Sequence, residues 1–236
     1  MRYGPDDRLT EAMVHDAIDG YSPCPKPIIE ILATWAAPCA SGGTLFDNCA
    51  GDGESGNALA KAWNLRPVLV EPHPERHALC LRYDPNALCA PAQHIFGRGP
   101  TVWFFNPPYD FADETGSMER HLLLDAVARV PTALTFCVWL LPSRIFDDES
   151  LQNLVAKHFE ALRVFRIMKP WEDYRQVALL GYWTDGASPL GTSRSQLVNL
   201  HSAPPLEIAD TQYALKAVGA EFSVSRRLVF SRSSAA

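Results

Sequence analysis

Val102-Trp103-Phe104-Phe105-Asn106-Pro107-Pro108-Tyr109 decides how this chain is read. Its first four residues form an apolar run, the pattern of a strand buried on both faces. Two prolines then end that strand, because each fixes its own φ and neither can donate to a sheet ladder. The resulting turn sits at a strand's carboxyl end, where open α/β sheets place their ligands. It offers an amide, a backbone carbonyl and an aromatic face. That set suits gripping a planar, amino-bearing group such as a nucleobase.

Working outward, strand and helix patterns alternate. Thr44-Leu45-Phe46 reads as a strand, followed by a glycine-rich turn from Asp47 to Gly56 and a helix from Ala58. Val68-Leu69-Val70 is a second strand ending at Glu71, with a helix over 73–81 and irregular chain over 82–100. Beyond the Asn-Pro-Pro-Tyr turn come an acidic loop over 110–117, expected to be mobile, and a helix over 118–130. A strand over 134–141 and a helix opening at Ser150 follow. Residues 162–167 and 177–183 are two strands with no helix between them, which predicts an antiparallel pair at one sheet edge. Toward the N-terminus, Ile28, Ile31, Leu32 and Trp35 have helical spacing, preceded by a proline-rich segment over 21–27 and a short helical pattern (Leu9, Ala12, Met13, Ala17). Ala187 to Pro205 has linker composition, residues 208–218 read as a helix and 220–230 as a strand. The expectation is a doubly wound, largely parallel, seven-stranded α/β sheet of Rossmann-like type with an antiparallel edge hairpin. Residues 1–185 would form the main domain and 186–236 a linker with a small C-terminal extension.

The 236 residues carry 47% hydrophobic and 20% charged side chains, an ordinary globular balance. No apolar stretch approaches the ~18 residues of a membrane span. The N-terminus lacks the apolar core of a signal peptide, so a cytoplasmic protein without membrane contact is expected. The six cysteines (24, 39, 49, 80, 89 and 137) include no Cys-x-x-Cys pair, and a reduced set is expected. His73 and His77 have the spacing of a metal pair on a helix but read as exposed polar residues, so no metal site is expected. A net charge of −6 argues against gripping a polyanion by bulk charge. The segment 186–236 is locally basic, with Arg194, Lys216, Arg226, Arg227 and Arg232 against Glu207, Asp210 and Glu221.

Glycines in the turn Asp47-Asn48-Cys49-Ala50-Gly51-Asp52-Gly53-Glu54-Ser55-Gly56 let the backbone approach a ligand and enter a helix tightly. Asp47, Asp52 and Glu54 crowd that turn, which disfavours a pyrophosphate and suits a ligand with a cationic centre and an amine. Glu71, at the tip of the next strand, is placed to accept hydrogen bonds from the hydroxyls of a ribose.

In this order the motifs resemble the class I S-adenosylmethionine-dependent methyltransferases that modify exocyclic amino groups. The chain looks most like the N6-adenine type, in which the cofactor motifs precede the catalytic one. The resemblance covers roughly residues 20–184 and includes a Tyr-x-Pro-x-Pro opening at Tyr21. It implies S-adenosylmethionine as cofactor. Asp47, Ala50, Gly51 and Gly53 would line its methionine moiety, Glu71 would bind its ribose, and Tyr21, Pro23 and Cys24 would close the pocket. Asp84 would match the acid that approaches the cofactor's adenine. Asn48 and Cys24 depart from the family, where proline and threonine are common.

Asn106, Pro107, Pro108 and Tyr109 would be the catalytic turn. An aryl amino nitrogen is a poor nucleophile because its lone pair is delocalised into the ring. The Asn106 side-chain oxygen and the Pro107 carbonyl would accept its hydrogens and return density to nitrogen, while Tyr109 stacks on the base. A base in duplex DNA would first be flipped out. Trp171 and Tyr174 are further stacking candidates, and Arg226, Arg227 and Arg232 candidate phosphate contacts. The expected partner is nucleic acid, DNA before RNA, with a protein partner one route to target recognition. Two alternatives stay open: methylation of protein glutamine at N5, and a non-catalytic cofactor-binding subunit.

Overall fold

The computed structural model describes residues 23–109, 118–129, 134–168, 175–184, 190–217 and 220–224. Tyr21, the N-terminal helical pattern, the loop 110–117, Trp171, Tyr174, Arg226, Arg227 and Arg232 lie outside them.

Among the described residues the central sheet has six strands: β1 (Thr44–Asp47), β2 (Arg66–Leu69), β4 (Val102–Phe105), β5 (Thr135–Pro142), β6 (Phe159–Arg166) and β7 (Gln176–Trp183). Their spatial order is β2-β1-β4-β5-β7-β6. The first four run parallel. β7 is antiparallel to β5, and β6 closes the edge antiparallel to β7, the expected hairpin. The seventh position shrinks to a single parallel bridge between Val70 and Leu88 beyond β2. Five of the nineteen residues over 82–100 being Pro or Gly, that stretch has little room for a longer ladder.

Every residue of β1, β4 and β5 is buried. Side chains alternate between faces along a strand, so both faces must be covered. Helices α1 (Lys26–Ala33) and α2 (Glu54–Ala62) cover one face, where Ile28, Leu32 and Leu59 meet Leu45, Val102, Phe104 and Val138. Helices α4 (Met118–Arg129) and α5 (Glu149–His158) cover the other, where Leu122, Leu123 and Val155 meet Trp103, Phe105 and Trp139. Between these pairs, the short helix α3 (Pro74–Cys80) follows β2. The crossover from β1 uses one face and that from β4 the other. The chain therefore parts between β1 and β4 and leaves a crevice at their carboxyl ends.

Several local readings change. Two strands join outside the main sheet: β3 (Ile95–Arg98), in a stretch expected to be irregular, pairs antiparallel with β8 (Glu221–Val224). Leu190–Val198, expected as linker, is a helix, α6. Its Leu197 is buried in the core, and Gln196 Nε2 donates to the Leu162 carbonyl at 2.9 Å. Residues 208–217, expected as helix, are not helical. The backbone there is spent on other partners: Tyr213 N–H donates to the Trp35 carbonyl at 2.8 Å, and its own carbonyl accepts from Ala37 N–H at 3.1 Å. The Tyr213 hydroxyl sits between the Ala161 and Leu180 carbonyls at 2.7 and 3.1 Å. No helix among the described residues is long and apolar enough to cross a membrane.

Candidate active site

The β1 turn is built by its backbone. Val70 N–H donates to the Asp47 carbonyl and Ala50 N–H to the Val70 carbonyl, both at 2.9 Å, stitching the turn to the end of β2. Gly53 caps α2 with φ +81, a left-handed conformation costly for other residues. Any Cβ there would also lie 2.9 Å from Leu69 Cδ1. Asn48, at a position where proline is common in the family the sequence resembles, accepts the indole N–H of wholly buried Trp103 at 3.0 Å. The departure thus satisfies a buried donor that proline could not.

A cavity of about 330 Å³ opens at the crevice. Its wall includes Pro23 and Cys24 before α1, Asp47 to Ala50 and Asp52 from the β1 turn, Glu71 after β2, and Asn106 and Pro108 after β4. The structure therefore brings the acidic turn, the strand-end acid and the proline turn to one space. Phe104, Leu122, Pro72, Pro91 and Ala92 give it apolar stretches.

Its charge is mostly negative. Asp47 is 1% exposed, and its Oδ1 accepts from Cys49 N–H at 3.2 Å. Burial foremost, then the negative charges of Glu71 and Asp52, push its pKa up to about 7, against the lowering effect of the Cys49 bond. Burial also raises the Cys24 and Cys49 thiols, so both stay protonated. Glu71 is buried, with Oε2 accepting from Gly51 N–H at 2.9 Å. Its Oε1 accepts from His73 N–H at 2.9 Å and pairs with Arg76 at 3.1 Å. An ionised carboxylate has about four lone-pair positions, so Oε2 keeps capacity toward the cavity. No group of three His, Cys, Asp or Glu among the described residues could hold a metal ion.

The other expected site residues stand apart from the wall. Gly51 and Gly53 act through the turn, Gly51 as the donor to Glu71. Pro107 is buried and is not among the residues lining the cavity. Asp84 is 3% exposed, and its oxygens accept from Leu69 N–H at 3.2 Å and Asn86 N–H at 3.0 Å. It holds β2 from behind and is not among the residues lining the cavity. Tyr109 is also absent from the wall. Its hydroxyl donates to the Leu140 carbonyl at 2.9 Å and to Asn106 Oδ1 at 3.2 Å. Beside it, wholly buried Glu119 gives Oε1 to Arg144 at 2.6 Å and leaves Oε2 without a hydrogen-bond partner.

Sequence reasoning missed Arg76 and Gln93, both in the wall. Arg76 had a signal, one helical turn beyond the strand-end acid it pairs with. Gln93 had none, since it sits in a short 3-10 turn (Ala92–His94) within the proline-interrupted stretch.

No family's sequence profile matches the chain, and no curated protein does. Solved structures do. One is the methyltransferase subunit of a type I restriction-modification system from Streptococcus thermophilus, with TM-score 0.51 and 11% identity over 70% of this chain and 45% of that one. Another is the type IIG restriction endonuclease BpuSI, with TM-score 0.53 and 13% identity over 91% of this chain and 33% of that one. The chain thus spans less than half the length of either. The likeness establishes that it has the Rossmann-like α/β fold found in a methyltransferase subunit.

Proposed function

We propose that this protein transfers a methyl group from S-adenosylmethionine to the exocyclic N6 amino group of adenine in nucleic acid, with DNA as the first substrate to try. The observation that carries the reading is one cavity shared by the acidic β1 turn, Glu71, Asn106 and Pro108. The wall fits the cofactor's chemistry. Asp47 and Asp52 suit its cationic methionine end, and Glu71 suits its ribose. Pro72, Pro91 and Ala92 offer an apolar bed for its base. Gln93 takes the place expected of Asp84, because a side-chain amide presents a donor and an acceptor in one plane, as a purine edge requires.

The bound cofactor would supply an electrophilic methyl on sulfur. The chain's own part is to present the nucleophile. Asn106 Oδ1 and the Pro107 carbonyl accept the two amino hydrogens and draw the nitrogen lone pair out of conjugation. As nitrogen bonds the methyl it becomes positive, and the two fixed carbonyl dipoles stabilise that charge before the proton leaves to water. Positioning against the sulfur supplies the rest.

Incubation with tritiated cofactor and unmethylated DNA should label N6-methyladenine after nucleoside digestion. Asn106→Ala should lower the rate about 10²-fold or more, the typical cost of removing one fixed dipole from a transition state. Label in a protein fraction instead would move the assignment to glutamine, and cofactor binding with no label anywhere would leave a non-catalytic subunit. Full activity in Asn106→Ala would refute the assigned mechanism.

A further inference from the structure

Resting on that reading, we propose that Arg76 is a positioning residue for the cofactor ribose: it holds Oε1 of Glu71 and so leaves Oε2 to take the sugar. Three observations carry this. Arg76 lines the same cavity as Glu71, and among the described residues it is the one cation in that wall. Its Nε and one terminal nitrogen each lie 3.1 Å from Glu71 Oε1. The two oxygens of Glu71 are unequally engaged: Oε1 accepts from Arg76 and from His73 N–H, whereas Oε2 accepts from Gly51 N–H.

The terminal torsion of a glutamate is broad and roughly two-fold, so the side chain does not set the plane of its own carboxylate. Its partners must. The backbone donors of His73 and Gly51 reach one oxygen each. Arg76 adds a planar, permanently charged fork of donors to Oε1. Each carboxylate oxygen has about two lone-pair positions, and three N–H groups converge on Oε1. Spare acceptor capacity therefore lies on Oε2. Glu71 is 4% exposed, and charge-assisted hydrogen bonds gain strength where water is scarce. Arg76 also offsets the repulsion between Glu71 and Asp47, whose charges lie within reach of each other.

The fold delivers Arg76 to this place. Pro74 opens α3 shortly after β2, and Arg76 lies in the first turn of that helix. Helical side chains lean toward the N-terminus of their helix, which brings the guanidinium back to Glu71. The helix is itself tied down. His77 Nε2 meets the Ala87 carbonyl at 3.0 Å, and the Cys80 thiol donates to the Gly51 carbonyl at 3.2 Å. Gly51 is thus held at both ends, by Cys80 at its carbonyl and by Glu71 at its N–H. Through one carboxylate, Arg76 keys the β1 turn to the end of β2.

The test has two arms. The first needs no ligand. In the full-length protein, the Gly51 backbone amide is followed by NMR, with Glu71→Ala marking its position once the bond to Oε2 is gone. Arg76→Leu should move that signal most of the way to the Glu71→Ala position and speed its hydrogen exchange. Arg76→Gln, which keeps a donor without the charge or the fork, should move it less, and it covers the case of an Arg76→Leu protein that does not fold. An unmoved Gly51 amide in either variant overturns the proposal. The second arm is calorimetric binding of S-adenosylhomocysteine and of its 2′,3′-dideoxy analogue. In the wild type, loss of the hydroxyls should weaken binding about 10- to 100-fold, the usual worth of a hydrogen bond to a charged group. In Arg76→Leu that ratio should shrink toward one, because the ribose ligand loses affinity and the dideoxy analogue does not. Equal losses for both ligands would mean that Arg76 only shapes the wall or touches another part of the ligand, and an undiminished ratio that Glu71 needs no help; either contradicts the proposal. If the wild type binds no S-adenosylhomocysteine at millimolar concentration, the functional reading fails, and the Gly51 amide alone decides whether Arg76 sets the Glu71 carboxylate.

Discussion

Asp47 carries the pH behaviour of the cavity. Its carboxyl is buried beside two other acids, and its pKa is pushed up to about 7 from an ordinary 3.8. The folded state therefore holds this proton more tightly than the unfolded chain does. Stability from this group is fully present below pH 4, declines as pH rises toward 7, and is flat beyond. The melting temperature of ligand-free Asp47→Asn minus that of the wild type should accordingly grow across this window; a constant difference would show that Asp47 is ionised throughout. A bound cation would favour the carboxylate, so cofactor binding near pH 7 should release protons. Calorimetry in buffers of different ionisation enthalpy measures that release, and Asp47→Asn should abolish it. At this scale the sequence singled out Asp47, Glu71 and Asn106 as polar residues ending apolar strands, and the structure sets all three in the wall of one cavity. Asp84 lies outside that wall, and its oxygens hold the backbone of Leu69 and Asn86, a duty its residue type also serves in turns.

The elements most legible in the sequence are those buried on both faces. β4 is an unbroken apolar run and β5 nearly one, and both hardly need context to be recognised, while β1 sets Leu45 and Phe46 between Thr44 and Asp47. The ribbon of β3 and β8 was not legible as a pair. β3 alternates buried and exposed residues over four positions and contains Gly97, while three of the four residues of β8 are exposed. What makes the ribbon is a distant contact: Phe222 stacks on Phe46 at 4.6 Å and lies across Gly97. A Cβ at Gly97 would sit 2.6 Å from the Phe222 ring. Gly97→Ala should therefore cost about 1–3 kcal/mol by overpacking, read by denaturant melting. Phe222→Ala should remove most of that penalty, making the pair strongly non-additive. Additive losses would place the strain elsewhere. Helix α6 was hidden for a related reason, since its Ser, Gly and Thr composition is a poor helix former and its stability comes from burying Leu197.

Across the whole molecule, the C-terminal quarter completes both layers. Leu197, Leu200 and Ala203 enter one core, and Leu206 and Tyr213 the other. Composition suggested a division near residue 185, but a chain cut there would uncover Trp35, Phe165 and Leu180. A 1–185 fragment should lack a cooperative melt, whereas independent folding with full stability would make the extension a separate unit. Long-range packing of this kind leaves no local trace, because the apolar residues in 197–213 come only singly or in pairs between polar residues and prolines.

At the same scale lies the claim on which the functional reading stands: the crevice between β1 and β4 receives a cation-bearing adenosyl ligand with its sulfur facing Asn106. A crystal structure of the full chain with S-adenosylhomocysteine tests it most directly. The amine should lie by Asp47, the ribose hydroxyls on Glu71, the base between Pro72 and Gln93, and the sulfur toward Asn106. A saturated protein with the ligand seated elsewhere, or no binding at millimolar ligand, would contradict it.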